Sequence, residues 1–147
     1  MQFKTHILFG FLVGIFFLKL IQIDNMVLYF VLIILGSLLP DIDHPNSKIG
    51  SLFKPVGWLF EHRGFFHSIF PVIILLLLIK VNQVLFIPLS IGYISHILID
   101  MVTIKGVLLI YPLINLRVNG FIKTGGLIEL IIFYFLVIVN LFLIIKI

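Results

Sequence analysis

Five apolar stretches, separated by short polar segments, constrain what this chain can fold into more than any other feature. They cover approximately residues 7–23, 26–39, 65–79, 84–101 and 127–145. Apolar runs of this kind are typical of helices that cross a bilayer. Hydrophobic residues make up 62% of the chain and its mean hydropathy is +1.32, outside the range of soluble domains. We therefore predict an all-α protein, a polytopic transmembrane bundle of about five helices in the lipid bilayer.

The distribution of basic residues predicts how this bundle is oriented. With five spans and a cytoplasmic N-terminus, seven of the ten Lys and Arg residues lie on the cytoplasmic side. Short cytoplasmic loops are enriched in these residues. We predict a multi-pass protein of the cytoplasmic membrane whose N-terminus is inside the cell. The length leaves no room for a separate soluble domain, so residues 1–147 are expected to form one integral membrane domain.

The second apolar stretch is too short to cross a bilayer completely. About 14 residues extend roughly 21 Å, against a hydrocarbon core of about 30 Å. The Pro40-Asp41 segment that follows is therefore expected below the membrane surface. Charged backbone at that depth is tolerated where it lines a wet cavity. A polar site that opens to the cytoplasmic face is the resulting prediction.

Missing residue types and motifs narrow the chemistry of such a site. The chain has no cysteine, which excludes disulfides and thiolate-ligated metals. It has no glycine-rich phosphate loop and no Gly-x-Ser-x-Gly motif. Its basic residues form neither a run nor an aromatic-interleaved polar surface, so nucleic acid is not an expected partner. Any metal must therefore be held by nitrogen and oxygen atoms.

Ionisable residues gather on one side of the predicted bundle. All five histidines and four of the six acidic residues fall at cytoplasmic helix ends or in the loop before the third stretch. Ionisable groups at membrane depth are costly and usually functional. His96 and Asp100 are spaced i and i+4, so they share one helix face and can chelate one ion. The alternative is a His–Asp hydrogen bond that joins two helices.

Asp41 and Asp43 lie between two prolines, in the sequence Leu-Pro-Asp-Ile-Asp-His-Pro. The prolines predict an extended turn, in which alternate side chains point the same way and both carboxylates face one ion. The alternative is a solvated turn whose aspartates cap a helix. His6 is a weak candidate by itself, but it lies on the same predicted membrane face.

The segment from Glu61 to His67 begins the third stretch and combines two imidazoles, a carboxylate and a guanidinium. Arg63 can present a planar fork to a phosphate or a carboxylate. The alternative is an interfacial belt of histidine and arginine at the membrane surface.

Imidazole and carboxylate without thiolate suit zinc or manganese better than calcium or magnesium. The donors outnumber the needs of a single ion, so we predict a divalent metal cofactor of one or two ions. The predicted metal ligands are His6, Asp41, Asp43, His62, His67, His96 and Asp100. The residues predicted to have catalytic roles, in proton transfer or substrate contact, are Glu61, His44 and Arg63.

In this order, the motifs resemble the YdjM-like family of inner-membrane metal-dependent hydrolases. The resemblance rests on Thr5-His6, Leu39-Pro40-Asp41-Ile42-Asp43-His44-Pro45, His62-Arg63-Gly64, His67-Ser68 and Ser95-His96 with Asp100. It implies a polytopic helical protein with a His/Asp metal centre and a hydrolase activity.

The leading hypothesis for function is a membrane-embedded metal-dependent hydrolase that cleaves a phosphoester of a lipid or lipid-like substrate. Sideways access from the cytoplasmic leaflet and basic residues around the site motivate this substrate class. A metal or proton transporter would use the same residues as a relay. A non-catalytic scaffold would use the metal to staple short helices together. The outer half of the bundle offers few polar groups, which argues against a continuous relay.

Overall fold

The computed structural model describes residues 1–18, 20–44, 47, 50–52, 55 and 63–146. In this part of the chain five α-helices follow one another, with three short 3-10 helices and one pair of short strands. The α-helices are α1 (Phe3–Phe17), α2 (Met26–Leu38), α3 (Ile69–Leu78), α4 (Gln83–Met101) and α5 (Leu127–Ile144). The 3-10 helices cover Leu39–Asp43, Gly50–Leu52 and Phe65–His67. The strands are β1 (Val107–Leu108) and β2 (Arg117–Val118).

Within the described residues, three helical segments are long and apolar enough to cross a bilayer. They are α4, α5, and α2 together with the 3-10 helix that extends it to Asp43. The helices α1 and α3 are also apolar but have only 15 and 10 residues. The predicted helical membrane bundle with some short helices is confirmed. The first helix begins at Phe3 rather than at residue 7, because buried contacts of Thr5 and His6 hold its polar start inside the bundle.

One end of the bundle collects the polar ends of all five helices. The starts of α1, α3 and α5 meet there with the ends of α2 and α4, through contacts described in the next subsection. We call this the site end. The opposite end has the α1–α2 turn packed near the start of α4.

The helix α4 is the central element, since it packs against α1, α2 and α3. Two glycines allow its closest approach, which is to α2. A Cβ atom at Gly36 would lie 2.3 Å from the carbonyl oxygen of Leu89, and one at Gly92 would lie 2.1 Å from that of Ile33. Small residues at a helix crossing are the usual way for membrane helices to pack this closely. The crossing brings the C-terminal end of α2 directly against the C-terminal half of α4.

The predicted extended turn between the two prolines is wrong, because Leu39–Asp43 forms a 3-10 helix. Pro40 is compatible with this helix, since the first helical turn needs no N–H donor at that position. In a helix with three residues per turn, side chains two positions apart do not share a face. The side chains of Asp41 and Asp43 therefore point in different directions, whereas the predicted extended turn would have directed both to the same side.

Val107 and Leu108 begin a small antiparallel hairpin that follows α4. Val107 pairs with Val118 and Leu108 pairs with Arg117. Val107 and Leu108 are buried. Backbone pairing of Thr103 with Ile122 continues the contact beside the end of α4. The hairpin therefore packs against the site end rather than inserting separately into the bilayer.

Candidate metal centre

His96 lies at the centre of the site end and is fully buried in α4. Its Nδ1 is 2.7 Å from the carbonyl oxygen of Ser37 in α2. Because a carbonyl oxygen only accepts hydrogen bonds, Nδ1 carries the proton and Nε2 keeps a lone pair. The contact depends on the α2–α4 crossing, since Ser37 follows Gly36 and His96 lies one turn after Gly92.

His67 comes from the short 3-10 helix Phe65–His67 and is also fully buried. Its Nε2 lies 3.3 Å from Nε2 of His96. Its other ring nitrogen, Nδ1, lies 3.4 Å from Oδ2 of Asp43. A carboxylate behind the imidazole is the usual device that orients a metal-binding histidine. Two ring nitrogens that face each other this closely need a proton or a cation between them.

Two carboxylates complete a set of four donors around these nitrogens. Oδ1 of Asp41 lies 3.9 Å from Nε2 of His67 and 3.8 Å from Nε2 of His96. Oδ2 of Asp100 lies 3.9 Å from each of the same two nitrogens. Donors of a tetrahedral zinc site lie about 3.3 Å apart when the bonds are about 2.0 Å. The distances from each carboxylate to the two histidine nitrogens therefore exceed this spacing by roughly half an ångström.

His6 belongs to a second, overlapping group with His96 and Asp100, whose donor atoms all lie within 4.8 Å of one another. Its ring stacks on that of His96, with centroids 3.7 Å apart and planes inclined by 6°. Its Nε2 is 3.4 Å from Oδ1 of Asp100. The amino group of Met1 contacts the same oxygen. Asp100 thus turns one oxygen toward His6 and the other toward His67 and His96.

Most side chains of this cluster are almost fully buried. The side chain of Asp41 is 20% exposed. The other members are at most 1% exposed: His6, Asp43, His67, His96 and Asp100. Buried charge without a counter-charge costs several kcal/mol. A divalent cation would offset the excess of the three carboxylates over the guanidinium of Arg63 and the amino group of Met1. Asp41 is the most exposed member of the cluster.

Arg63 connects the cluster to the hairpin. Its Nη2 is 2.9 Å from Oδ2 of Asp100, and its Nη1 donates to the carbonyl oxygen of Gly106 at 3.0 Å. Its backbone N–H donates to Oδ2 of Asp43 at 3.1 Å. The residue has a left-handed backbone with φ of 67°, which costs an L-residue about 1–2 kcal/mol. Arg63 therefore contacts a carboxylate of the site itself, but through Nη2 alone, so the predicted two-pronged fork on one carboxylate is not formed.

Glu129 was not predicted as a site residue, although it is buried in the first turn of α5. Its Oε1 accepts hydrogen bonds from the backbone N–H of Gln2 at 2.5 Å and the hydroxyl of Thr5 at 3.1 Å. Its Oε2 accepts from the backbone N–H of Gly125 at 2.6 Å. Glu129 therefore ties the start of α1, immediately before His6, to α5. An acid in the first turn of an otherwise apolar helix was the available signal in the sequence.

The structure brings together five of the predicted metal ligands: His6, Asp41, His67, His96 and Asp100. Asp43 lies behind His67 instead of among the facing donors. His44 is half-buried at the end of the 3-10 helix and belongs to neither ligand group found in the described part of the chain. Glu61 and His62 lie outside the described residues, as does most of the polar loop around them.

Comparison of the sequence with known proteins identifies a family that matches nearly the whole chain. The sequence model of a family described as "YdjM inner membrane protein" matches residues 1–146. No solved structure matches the chain.

Three curated proteins share the sequence over about half of the chain or more. The chain is similar to the inner membrane protein YdjM of Escherichia coli strain K12, with 46% identity over 91 residues, 54% of this chain and 46% of that protein. The YdjM protein of Shigella flexneri has the same identity and coverage. The protein YvsG of Bacillus subtilis strain 168 is 35% identical over 102 residues, 64% of each chain. This chain therefore spans between 46% and 64% of the length of these relatives.

Proposed function

This chain belongs to the YdjM inner membrane protein family, and from that premise and the geometry of its buried His/Asp cluster we propose that it is a membrane-embedded, metal-dependent hydrolase. Its substrate class is a phosphoester of a lipid or lipid-like molecule. The reaction takes place at the site end, which faces the cytoplasmic leaflet if the N-terminus is inside the cell, as the basic residues predict.

One observation carries the proposal, namely four donor side chains that gather in a cluster, of which only Asp41 is appreciably exposed. They come from Asp41, His67, His96 and Asp100 and lie 3.3–3.9 Å apart in the measured pairs. Two imidazoles and two carboxylates suit zinc or manganese. One ion uses all four donors, while His6 lies on the far side of Asp100.

The neighbouring residues have distinct tasks in this proposal. A bound divalent ion would polarise a phosphoryl oxygen and activate a water molecule. Asp41 stands where a headgroup enters, because it is the exposed member of the cluster. Arg63 holds Asp100 in place and is a positioning residue, since its guanidinium already contacts Asp100 and the hairpin. His44 and Glu61 are the candidates for proton transfer.

Apolar packing between the two ends of the bundle supports an enzyme over a transporter. Ile33 and Ile91 are buried together in the middle of the bundle, and the same apolar cluster continues through Tyr29 to the opposite end. A proton or metal relay needs a chain of polar groups across this region. The polar cluster lies at the site end instead.

Metal content is the first measurement that tests the proposal. We expect purified wild-type protein to retain about one equivalent of zinc or manganese after dialysis, whereas Asp41→Asn and His67→Ala lose most of it. His44→Ala is the matched control, because His44 is a nearby histidine outside both ligand groups. Absence of metal from every sample, after loading with either ion, contradicts the proposal.

Hydrolysis is tested separately with metal-loaded protein in vesicles of defined phospholipids. We expect the wild type to release phosphate or headgroup and Asp41→Asn to release none. His44→Phe should keep the activity if His44 is not the proton-transfer residue and lose it if it is. Metal-bound protein that releases nothing from a broad panel of phosphoesters indicates the non-catalytic scaffold. Metal or proton flux through proteoliposomes indicates the transporter.

A further inference from the structure

A groove without polar lining lies beside the candidate metal centre. It has a volume of about 250 Å³ and is formed between the 3-10 helix Leu39–Asp43, the helix α3 and one side of α4. Its lining includes Leu39, Ile42, Phe66, Ile74, Leu75 and Tyr93. Tyr93 contributes its ring, because its hydroxyl donates to the backbone carbonyl of Phe66 at 2.5 Å. The groove offers a ligand only apolar contacts.

The groove and the metal centre share two short elements of the fold. Leu39 and Ile42 belong to the same 3-10 helix as Asp41, the exposed member of the cluster. Phe66 immediately precedes His67 in the other 3-10 helix. Two donors of the metal centre, Asp41 and His67, therefore belong to the same short elements that form walls of the groove.

The direction of the groove follows from α3. This helix starts at Ile69, next to the metal centre, and Leu75 lies six residues further along it. At 1.5 Å per residue Leu75 lies about 9 Å along α3 from Ile69, in the direction away from the site end. None of the α3 residues is fully buried, and Ile74 is 51% exposed. A ligand can therefore enter sideways from the lipid phase.

Polar donors at the membrane face and an apolar groove that runs inward match an amphiphile in its normal bilayer orientation. We propose that the groove binds the alkyl chain of the substrate and so selects a chain-bearing phosphoester over a soluble one. The inference rests on the proposed function. Lipid tails are as apolar as the groove, so moving the alkyl chain from the bilayer into the groove gains little hydrophobic free energy. The groove instead orients the chain and thereby positions the headgroup near Asp41.

Two exposed positions on α3 provide a matched pair of variants. Ile74→Trp fills the groove, whereas Leu77→Trp places the same ring on the same helix outside it. Both residues are at least half exposed, so neither substitution disturbs a packed core. Leu75→Trp is a second filling variant from deeper in the groove. Unchanged manganese affinity in each variant shows that the metal centre is intact.

The experiment titrates manganese-loaded protein with ethyl phosphate and with decyl phosphate, using the manganese electron paramagnetic resonance spectrum as readout. We expect decyl phosphate to bind Ile74→Trp and Leu75→Trp at least fivefold more weakly than wild type. Ethyl phosphate should bind all proteins equally, and Leu77→Trp should match wild type for both. Partitioning of decyl phosphate into detergent is the same for every protein, so it cancels in this comparison.

The outcomes separate the two proposals. If Ile74→Trp, Leu75→Trp and Leu77→Trp bind decyl phosphate alike while ethyl phosphate still binds, the groove does not hold the chain and the metal-site proposal survives. If neither phosphate perturbs the manganese spectrum of the wild type, the phosphoester assignment fails and the groove inference fails with it.

Discussion

At the scale of single residues, His96 and His67 use their two ring nitrogens for different tasks. His96 places Nδ1 on the carbonyl oxygen of Ser37, and His67 places Nδ1 near the carboxylate of Asp43. Each contact leaves Nε2 directed into the cluster, where the two Nε2 atoms lie 3.3 Å apart. The donors are therefore oriented before any ion arrives, which lowers the cost of ordering them on binding.

The first prediction concerns Asp43. Asp43→Asn keeps the shape of the side chain but removes the charge behind His67, so metal affinity should fall about 10- to 100-fold. Isothermal titration with zinc measures this change. Asp24→Asn, an exposed acid at the opposite end of the bundle, is the control and should bind as wild type. Equal affinity in Asp43→Asn and wild type contradicts the orienting role.

At the scale of secondary-structure elements, short helices position the site because they end where the donors are needed. The α2 helix gives way to a 3-10 helix at Leu39, which carries Asp41 and Asp43, and a second 3-10 helix carries His67. The α4 helix supplies His96 and Asp100 one turn apart. The site therefore depends on how closely α2 and α4 approach.

The second prediction tests this approach. Gly92→Ala adds a Cβ atom 2.1 Å from the carbonyl oxygen of Ile33, which forces α2 and α4 apart. We expect a loss of about 1–3 kcal/mol of stability, as for other overpacked sites. The displaced Ser37 carbonyl should also weaken metal binding. Thermal unfolding and zinc titration measure the two effects.

The control for Gly92→Ala lies on the same helix but faces lipid. Leu98 is 50% exposed, so Leu98→Ala should leave both the unfolding temperature and the zinc affinity nearly unchanged. A Gly92→Ala protein as stable and as metal-competent as Leu98→Ala would show that the close crossing is not required.

The third prediction concerns the contact between α1 and α5. Glu129→Ala removes the acceptors for the backbone N–H groups of Gln2 and Gly125 and for the hydroxyl of Thr5. The start of α1 should loosen, which hydrogen exchange measured by mass spectrometry reports as faster exchange in a peptide covering residues 1–9. Ile128→Ala, a lipid-facing neighbour, should leave that exchange unchanged. Slow exchange in both variants would show that other contacts hold α1.

At the scale of the whole molecule, the cluster connects parts of the chain that are distant in sequence. Its donors come from the start of α1, the end of α2, the segment before α3 and the end of α4. Arg63 adds the hairpin through its contact with Gly106. An ion held by these donors would cross-link the site end, in addition to any catalytic role.

The fourth prediction follows from this cross-link. A ligand that binds only the folded protein stabilises it by about 2.7 kcal/mol at a concentration 100-fold above its Kd. Zinc should therefore raise the unfolding temperature of the wild type, and a chelator should lower it again. Asp41→Asn should show a much smaller shift, because it lacks one donor. Equal shifts in both proteins would place the stabilising zinc elsewhere.

Sequence patterns predicted the helical bundle and many of its helix boundaries, because hydropathy is a local property that each segment carries by itself. They also predicted that His67, His96, Asp41 and Asp100 gather on one side, since helix order alone assigns residues to a membrane face. The extended turn at Asp41 was predicted wrongly, because proline is compatible with both an extended segment and the first turn of a helix. The pairing of β1 with β2 was not predicted from the sequence, since it joins residues about ten positions apart and is not a local property of either segment.

By itself, the sequence determined that this chain is a helical membrane protein, which donor types it holds, and that several of them gather at one end of the bundle. Only the tertiary structure decided which nitrogen of each histidine faces the cluster, that Asp43 stands behind His67, and that Arg63 contacts Asp100. The physical reason is that membrane position follows from the order of the apolar segments. Distances of 3–4 Å between side chains depend instead on how closely the helices cross, which here rests on two glycines.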